Sequence, residues 1–118
     1  MSNVVGRGTT PTFTWRLRNI LYTDISVLWL SIMQSGKIVI DKDLTNGLTL
    51  SDETETVEEE TVHNTLVGIL FTQEETLSLS SKSDAEAQIR VLFADGTAGK
   101  TNVYKLPVSR ILKEGVIG

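Results

Sequence analysis

The stretch that decides the fold is G-T-T-P-T-F-T-W-R-L, residues 8–17. In it Phe13, Trp15 and Leu17 alternate with threonine and arginine. Successive side chains of a β-strand point to opposite faces of the sheet, so this alternation predicts a strand with one buried and one solvated face. Pro11 lacks an amide donor, which suits the first residue of a strand or an edge position.

A β-hairpin is predicted next along the chain. Residues 25–34, I-S-V-L-W-L-S-I-M-Q, are apolar on both faces. Such a strand either lies in the centre of a sheet or has its outer face covered by a partner. A buried helix competes with this interpretation, but Ser35 and Gly36 form a hairpin-turn signal and residues 37–42 then provide the return strand.

The remaining segments continue the β pattern. Asn46 and Gly47 mark a turn, after which Leu48 and Leu50 are compatible with a short strand. Three further strands are predicted: residues 61–71, with possible breaks at Asn64 and Gly68; residues 85–93, with Ala87, Ile89, Val91 and Phe93 pointing inward; and residues 101–108, with Tyr104, Leu106 and Val108 pointing inward.

One short helical segment interrupts these strands. Thr72 is followed three residues later by Glu75, which is a capping-box spacing. In a capping box the threonine accepts from an early helical amide and the glutamate reaches back to the cap amide. This spacing predicts one or two helical turns near residues 72–79.

Six to seven short strands separated by turn signals predict an all-β, single-domain antiparallel sandwich, with a small barrel as the alternative. Residues 1–10 are predicted to form a flexible N-terminal arm, residues 11–109 the β-sandwich domain and residues 110–118 a C-terminal tail. The tail contains apolar residues that need cover from elsewhere: Ile111, Leu112, Val116 and Ile117.

Composition disfavours several classes of function. The net charge is −4 and the basic residues are scattered, so neither nucleic acid nor an anionic membrane surface is an expected partner. The chain has no cysteine, which removes disulfides, thiolate metal sites and thiol nucleophiles. The longest apolar stretch, within residues 25–33, is shorter than the roughly 20 residues of a membrane-spanning helix.

The acidic run D-E-T-E-T-V-E-E-E, residues 52–60, carries six carboxylates in nine residues. Mutual repulsion favours a solvated edge or loop, and Ca²⁺ binding through oxygen ligands is the alternative. The spacing of an EF-hand loop is missing. The carboxylates that the alternative would draw on are Asp52, Glu53, Glu55, Glu58, Glu59 and Glu60.

We assign no catalytic, cofactor-binding or metal-ligating residue from the sequence. His63, the one histidine, has no recognisable Ser-His-Asp arrangement around it and is interpreted as a strand residue on a polar face, with a general base or metal ligand as the alternative. The G-R-G at residues 6–8 has no preceding strand or following helix, so it is not a phosphate loop. Three aromatic residues are either core or a sugar-stacking platform: Trp15, Trp29 and Tyr22.

Three segments together resemble a group of phage proteins. These are R-G-T-T-P-T-F-T at residues 7–14, L-F-T-Q-E-E-T-L at residues 70–77 and I-R-V-L-F-A-D-G at residues 89–96. They resemble small structural-module proteins of phages and prophages of Gram-positive bacteria. More distantly they resemble the immunoglobulin-like N-terminal domain of siphophage upper baseplate proteins. The acidic run lies outside the shared pattern.

That resemblance implies an immunoglobulin-like sandwich that is a non-enzymatic virion structural protein of the tail, baseplate or head. It would be made in the bacterial host cytoplasm, assemble as a homo-oligomer or dock onto other virion proteins, and need no cofactor. The alternatives are a carbohydrate- or receptor-binding module, which requires an exposed Trp15 or Trp29, and a small host-directed regulatory protein.

Overall fold

The computed structural model describes residues 4–118 of the 118-residue chain. A short 3-10 helix, Tyr22–Asp24, follows the second strand, and an α-helix, α1, spans Gln73–Leu77. The strands in chain order are β1 (Val5–Gly6), β2 (Thr12–Leu17), β3 (Ile25–Gln34), β4 (Lys37–Asp43), β5 (Leu48–Val57), β6 (Glu60–Leu70), β7 (Ala85–Phe93), β8 (Ala98–Lys100), β9 (Tyr104–Leu106) and β10 (Val108–Ser109).

Two antiparallel sheets pack into a sandwich, which confirms the predicted all-β single-domain fold. The first sheet has the order β2-β6-β5. The second has the order β4-β3-β7-β8, and β9 pairs with the other half of β7. A small parallel pair joins β1 to β10.

The strand order differs at one strand from that of an immunoglobulin constant domain. In the immunoglobulin constant domain, the second strand belongs to the same sheet as the first strand and the fifth strand. Here β3, the second long strand, lies instead between β4 and β7. The tight turn at Ser35 and Gly36 accounts for this placement, because it forces β4 to pair with β3 directly.

One continuous core fills the space between the sheets. The alternation predicted for β2 is present: Leu17 is buried, and Phe13 and Trp15 are partly buried against the core. The fully buried side chains of largest volume come from the second sheet and from the segments that flank α1. They are Phe71, Leu28, Leu30, Ile32, Leu79 and Ile89.

The hairpin of β3 and β4 is confirmed, with Ser35 at φ 54° and Gly36 at φ 79° in the turn. The register shifts between Ile32 and Met33, so Val39 is an extra residue in the return strand. The strand β3 is central, as expected, but only its inner face is covered.

The predicted helical segment is confirmed and has the predicted cap. Thr72 Oγ1 accepts from the Glu75 amide at 3.1 Å, and the Thr72 amide donates to Glu75 Oε1 at 2.9 Å. The helix itself is shorter than residues 72–79. Among residues 4–118 there is no helix with the length and hydropathy that crossing a membrane requires.

Most of the acidic run is strand, and only Glu58 and Glu59 form a turn, between β5 and β6. Residues 52–57 continue β5, which therefore spans ten residues rather than the short strand expected around Leu48 and Leu50. β6 also runs without the predicted breaks, because Asn64 is buried with its amide bonded and Gly68 lies opposite Thr49 in a regular ladder. The predicted solvated edge is present, since β5 is the edge strand of its sheet.

The segments assigned to arm and tail contact the domain. Residues 1–3 lie outside the described part of the chain. Val5 is fully buried, and the Arg7 side chain donates to the carbonyl oxygens of Leu77 at 2.9 Å and Leu79 at 2.6 Å. Residues 5–7 are thus tied to the fold, whereas we expected the arm to be flexible.

Candidate assembly surfaces

The outer face of the second sheet carries an apolar patch, which we call the outer patch. Its members come from β3, β4 and β7 and are adjacent by register, since Met33 pairs with Ile38 and Val27 pairs with Leu92. Each is between 37% and 53% exposed. The outer patch consists of Val27, Trp29, Met33, Ile38 and Leu92.

Polar side chains lie beside and within the outer patch, and one of them contacts Trp29. The Arg90 guanidinium lies 5.6 Å from the centroid of the Trp29 ring. Ser31 donates to Asp41 at 3.0 Å between Trp29 and the Met33–Ile38 pair. Tryptophan, methionine and arginine are the residue types enriched at protein interfaces, and an apolar patch with a polar rim is typical of an interaction site.

The second candidate surface is concave and lies between the sheets, at the side where β2 faces β9. We call this cavity of about 400 Å³ the edge slot. Its floor is apolar and includes Leu30, Ile32 and Leu106. Trp15 and Tyr104 stand at the slot with their ring centroids 5.7 Å apart. Their separation and tilt of 58° fit an aromatic contact.

The edge slot adjoins an unpaired strand edge. The Phe71 amide donates to the Pro11 carbonyl at 3.2 Å, and the pairing register places Phe13 opposite Ile69. Hydrogen-bonded and non-hydrogen-bonded pairs alternate in an antiparallel ladder. Only every second residue of β2 therefore bonds to β6 through its backbone N–H and C=O groups. The backbone N–H and C=O groups of Thr12, Thr14 and Arg16 therefore point to the open edge.

Three of the six carboxylates of the acidic run, those of Asp52, Glu53 and Glu55, have partners within the first sheet. Arg16 donates to both carboxylate oxygens of Glu53, at 2.6 Å and 2.9 Å. This pair and a bond from Asn64 hold the pKa of Glu53 below its usual value. Glu55 also accepts from Asn64, at 3.0 Å. Among the described residues no three acidic, histidine or cysteine side chains are grouped so that they would hold a metal ion.

His63 lies beside Asp52, with Nδ1 3.0 Å from one carboxylate oxygen. The His63 side chain is 45% exposed and Asp52 30%. The pair lies on the ribbon formed by β5 and β6 and lines neither the edge slot nor the outer patch. The predicted strand position of His63 is confirmed.

The aromatic residues weighed for sugar stacking separate in the structure. Trp15 is partly buried against the core and Tyr22 is 39% exposed in the 3-10 helix, whereas Trp29 is 51% exposed. Trp29 and Trp15 lie on different surfaces, so they form no joint platform. Gly6 and Gly8 flank a turn in which Thr9 donates to the Gly6 carbonyl.

Sequence reasoning identified β3 as having two apolar faces, but it missed the edge slot. Trp15 and Tyr104 are 89 positions apart in sequence, and only the pairing of β9 with β7 brings Tyr104 opposite β2. The one signal available was Pro11, which suits an edge strand.

The chain was compared with known proteins at the level of families and of individual sequences. No protein-family model matches it. A search of curated proteins also gives no significant match.

Proposed function

We propose that the chain is a non-enzymatic structural protein of a phage virion, a tail, baseplate or head-associated component. It assembles through protein–protein contacts with other virion proteins and with copies of itself. The observation that carries this proposal is the outer patch, because it exposes five large apolar side chains on one sheet face.

The chemistry of the outer patch supports association rather than solubility. Trp29 is the kind of residue that dominates binding energy at protein interfaces, and Arg90 beside it supplies a second such type. A solvated antiparallel sheet face normally alternates polar residues outward, as β2 does with Thr12, Thr14 and Arg16. β3 lies in the middle of its sheet but carries large apolar side chains on the solvated face. A partner that covers this part of the sheet would remove the most apolar surface from water.

The resemblance to phage structural modules supplies the biological setting of the proposal. A virion subunit is selected for surfaces that become buried on assembly, and the outer patch and the open strand edges meet that requirement. Tail, baseplate and head positions are all consistent with these surfaces.

A carbohydrate- or receptor-binding module is the second candidate, and the exposure of Trp29 favours it. Sugar rings stack on an open aromatic face, and Trp29 is 51% exposed. Arg90 already covers part of that ring. Quenching of tryptophan emission by a panel of oligosaccharides, lost in Trp29→Ser, would favour this second function over assembly.

The proposal is tested by incorporation of a patch variant into particles. Ile38→Lys places a charge in the outer patch, and Val57→Lys is the matched control, since these residues are 53% and 47% exposed and Val57 lies at the end of β5. We expect Ile38→Lys to lower the ratio of particle-bound to free protein about tenfold, the effect of losing about 1.4 kcal/mol. Equal incorporation of both variants would contradict a role for the outer patch.

A further inference from the structure

We propose that the edge slot is an acceptor site for the C-terminal tail, residues 110–118, of a second copy of this chain. The inference rests on the proposed function, since it names one contact through which copies assemble. The tail would add an extended segment to the open edge of β2 and place apolar side chains in the edge slot. This is strand addition, in which main-chain bonds supply affinity and pockets for alternate side chains supply specificity.

The tail has the properties of a donor segment. Residues 110–118 form neither helix nor strand. Leu112 is 93% exposed, Val116 53% and Ile117 82%, so most of the apolar surface of the tail lies in water within one copy. Burying these apolar side chains would stabilise a bound tail.

The tail of the same copy lies outside the edge slot. The Gln73 side chain donates to the Ile117 carbonyl at 3.2 Å and accepts from the Ile117 amide at 2.8 Å. Glu114 pairs with Arg7, and Val116 lies against the start of α1. These exposed contacts hold the tail beside α1 and leave Leu112 uncovered.

The dimensions and charges of donor and acceptor agree. Nine extended residues reach about 30 Å, whereas the six residues of β2 extend about 20 Å. In an extended tail, Leu112, Glu114 and Val116 share one face. Two apolar side chains would then enter the edge slot, and Glu114 between them would lie on the side of the slot that Arg18 lines.

The tail would give up only exposed contacts beside α1 when it enters the edge slot of another copy. A cavity of about 400 Å³ has the volume of a small ligand site, which is room for more than one apolar side chain. The open backbone groups of β2 gain hydrogen bonds that water alone otherwise provides.

Two variants of the full chain separate donor from acceptor. Leu112→Lys/Val116→Lys disables the tail without touching the core, because both side chains are exposed. Thr14→Pro blocks the edge: the Thr14 amide points away from β6, so proline removes a donor for an added strand and no bond within the sheet. The matched controls are Ser81→Lys/Ser83→Lys, which adds the same charge elsewhere, and Thr14→Val.

The measurement is the mass of each protein by size-exclusion chromatography with light scattering. We expect the natural chain and both controls to form an oligomer, and each test variant to be a monomer. A mixture of the two test variants should restore a one-to-one dimer, because one supplies an intact tail and the other an intact slot.

Two results would overturn the inference: a natural chain that is a monomer, or an oligomer that survives in both test variants. If the oligomer survives in both test variants, the proposed function still stands. An oligomer held by the outer patch would then dissociate in the Ile38→Lys variant. Failure of the proposed function is seen separately, as absence of the protein from particles.

Discussion

Lys42 is a buried cation whose neighbours explain its position. Its side chain is 1% exposed, its Nζ lies 2.8 Å from Glu75 Oε1, and the Phe71 ring lies 5.6 Å away. Burial raises the pKa of Glu75, but the hydrogen bonds from Lys42 and Thr72 outweigh burial and hold that pKa below its usual value. One carboxylate thus caps α1 and neutralises the lysine that enters from β4.

Glu75→Gln tests this arrangement through the pH dependence of stability. Because the folded pKa of Glu75 is lowered, its contribution is present above the unfolded pKa of about 4.3 and is lost as pH falls through the folded pKa. We expect the variant to lose about 2 kcal/mol of unfolding free energy at pH 7, and less as pH approaches 3.

Urea unfolding at pH 7, 5 and 3 measures this difference, with Glu74→Gln as the control because Glu74 is exposed. A penalty for Glu75→Gln that stays constant over this pH range would contradict the ion pair as its source.

Gly68 in β6 lies close against the Thr49 side chain of β5. A Cβ built there would lie 2.5 Å from Thr49 Oγ1. Gly68→Ala should therefore cost about 1–2 kcal/mol of unfolding free energy, and Thr49→Ala in the same chain should restore most of it. Thermal unfolding of the two single variants and the double variant measures the coupling, and additive losses would show that the contact is not the cause.

At the scale of elements, local patterns predicted the parts that depend on near neighbours. The capping box around Thr72 and the hairpin turn at Ser35 and Gly36 are each specified within four residues, and both are present. The alternation of residues 85–93 likewise placed Ala87, Ile89 and Val91 inward, where all three are buried.

The elements that were predicted wrongly depend on contacts between residues that are distant in the chain. Like charges argued against a strand through residues 52–57, but Arg16 from β2 and Asn64 from β6 compensate Glu53 and Glu55. The compensating residues are distant in the chain, so composition alone overestimated repulsion.

The turn between β5 and β6 is the element whose backbone departs most from residue preference. Glu58 has φ 50° and Glu59 φ 69°, values at which side chains other than glycine, asparagine and aspartate are disfavoured. Replacing the pair by Asn-Gly should stabilise the hairpin by about 1–2 kcal/mol. Hydrogen exchange of the Val57 and Glu60 amides measures local opening.

Glu58→Gln/Glu59→Gln is the control for this turn, because it removes the two charges and keeps the backbone conformation. Equal protection in the two variants would assign the effect to charge rather than to the turn.

At the scale of the whole molecule, the sheets leave an elongated body of 51 × 28 × 27 Å. The radius of gyration is 15.7 Å, compared with about 13.5 Å expected for a compact domain of this length. The long ribbon of β5 and β6 accounts for this shape, since residues 54–61 are exposed on both strands. Such a body presents separate surfaces for different neighbours: the outer patch, the edge slot and the ribbon.

The sandwich could be predicted because alternation and turn signals are local, whereas the two candidate surfaces required the sheet order. The sequence of β3 showed that both of its faces are largely apolar, but not which neighbours extend the outer patch. Ile38 and Leu92 join it only through the pairing of β4 and β7 with β3.

The most direct test of the central claim is the amount of this protein in phage particles. Particles from a lysate of the producing bacterium are purified on a density gradient, and the protein is quantified by mass spectrometry against known virion proteins. We predict a fixed copy number per particle that follows the particle peak. Protein found only in the soluble fraction, with none in the particle peak, would contradict the account.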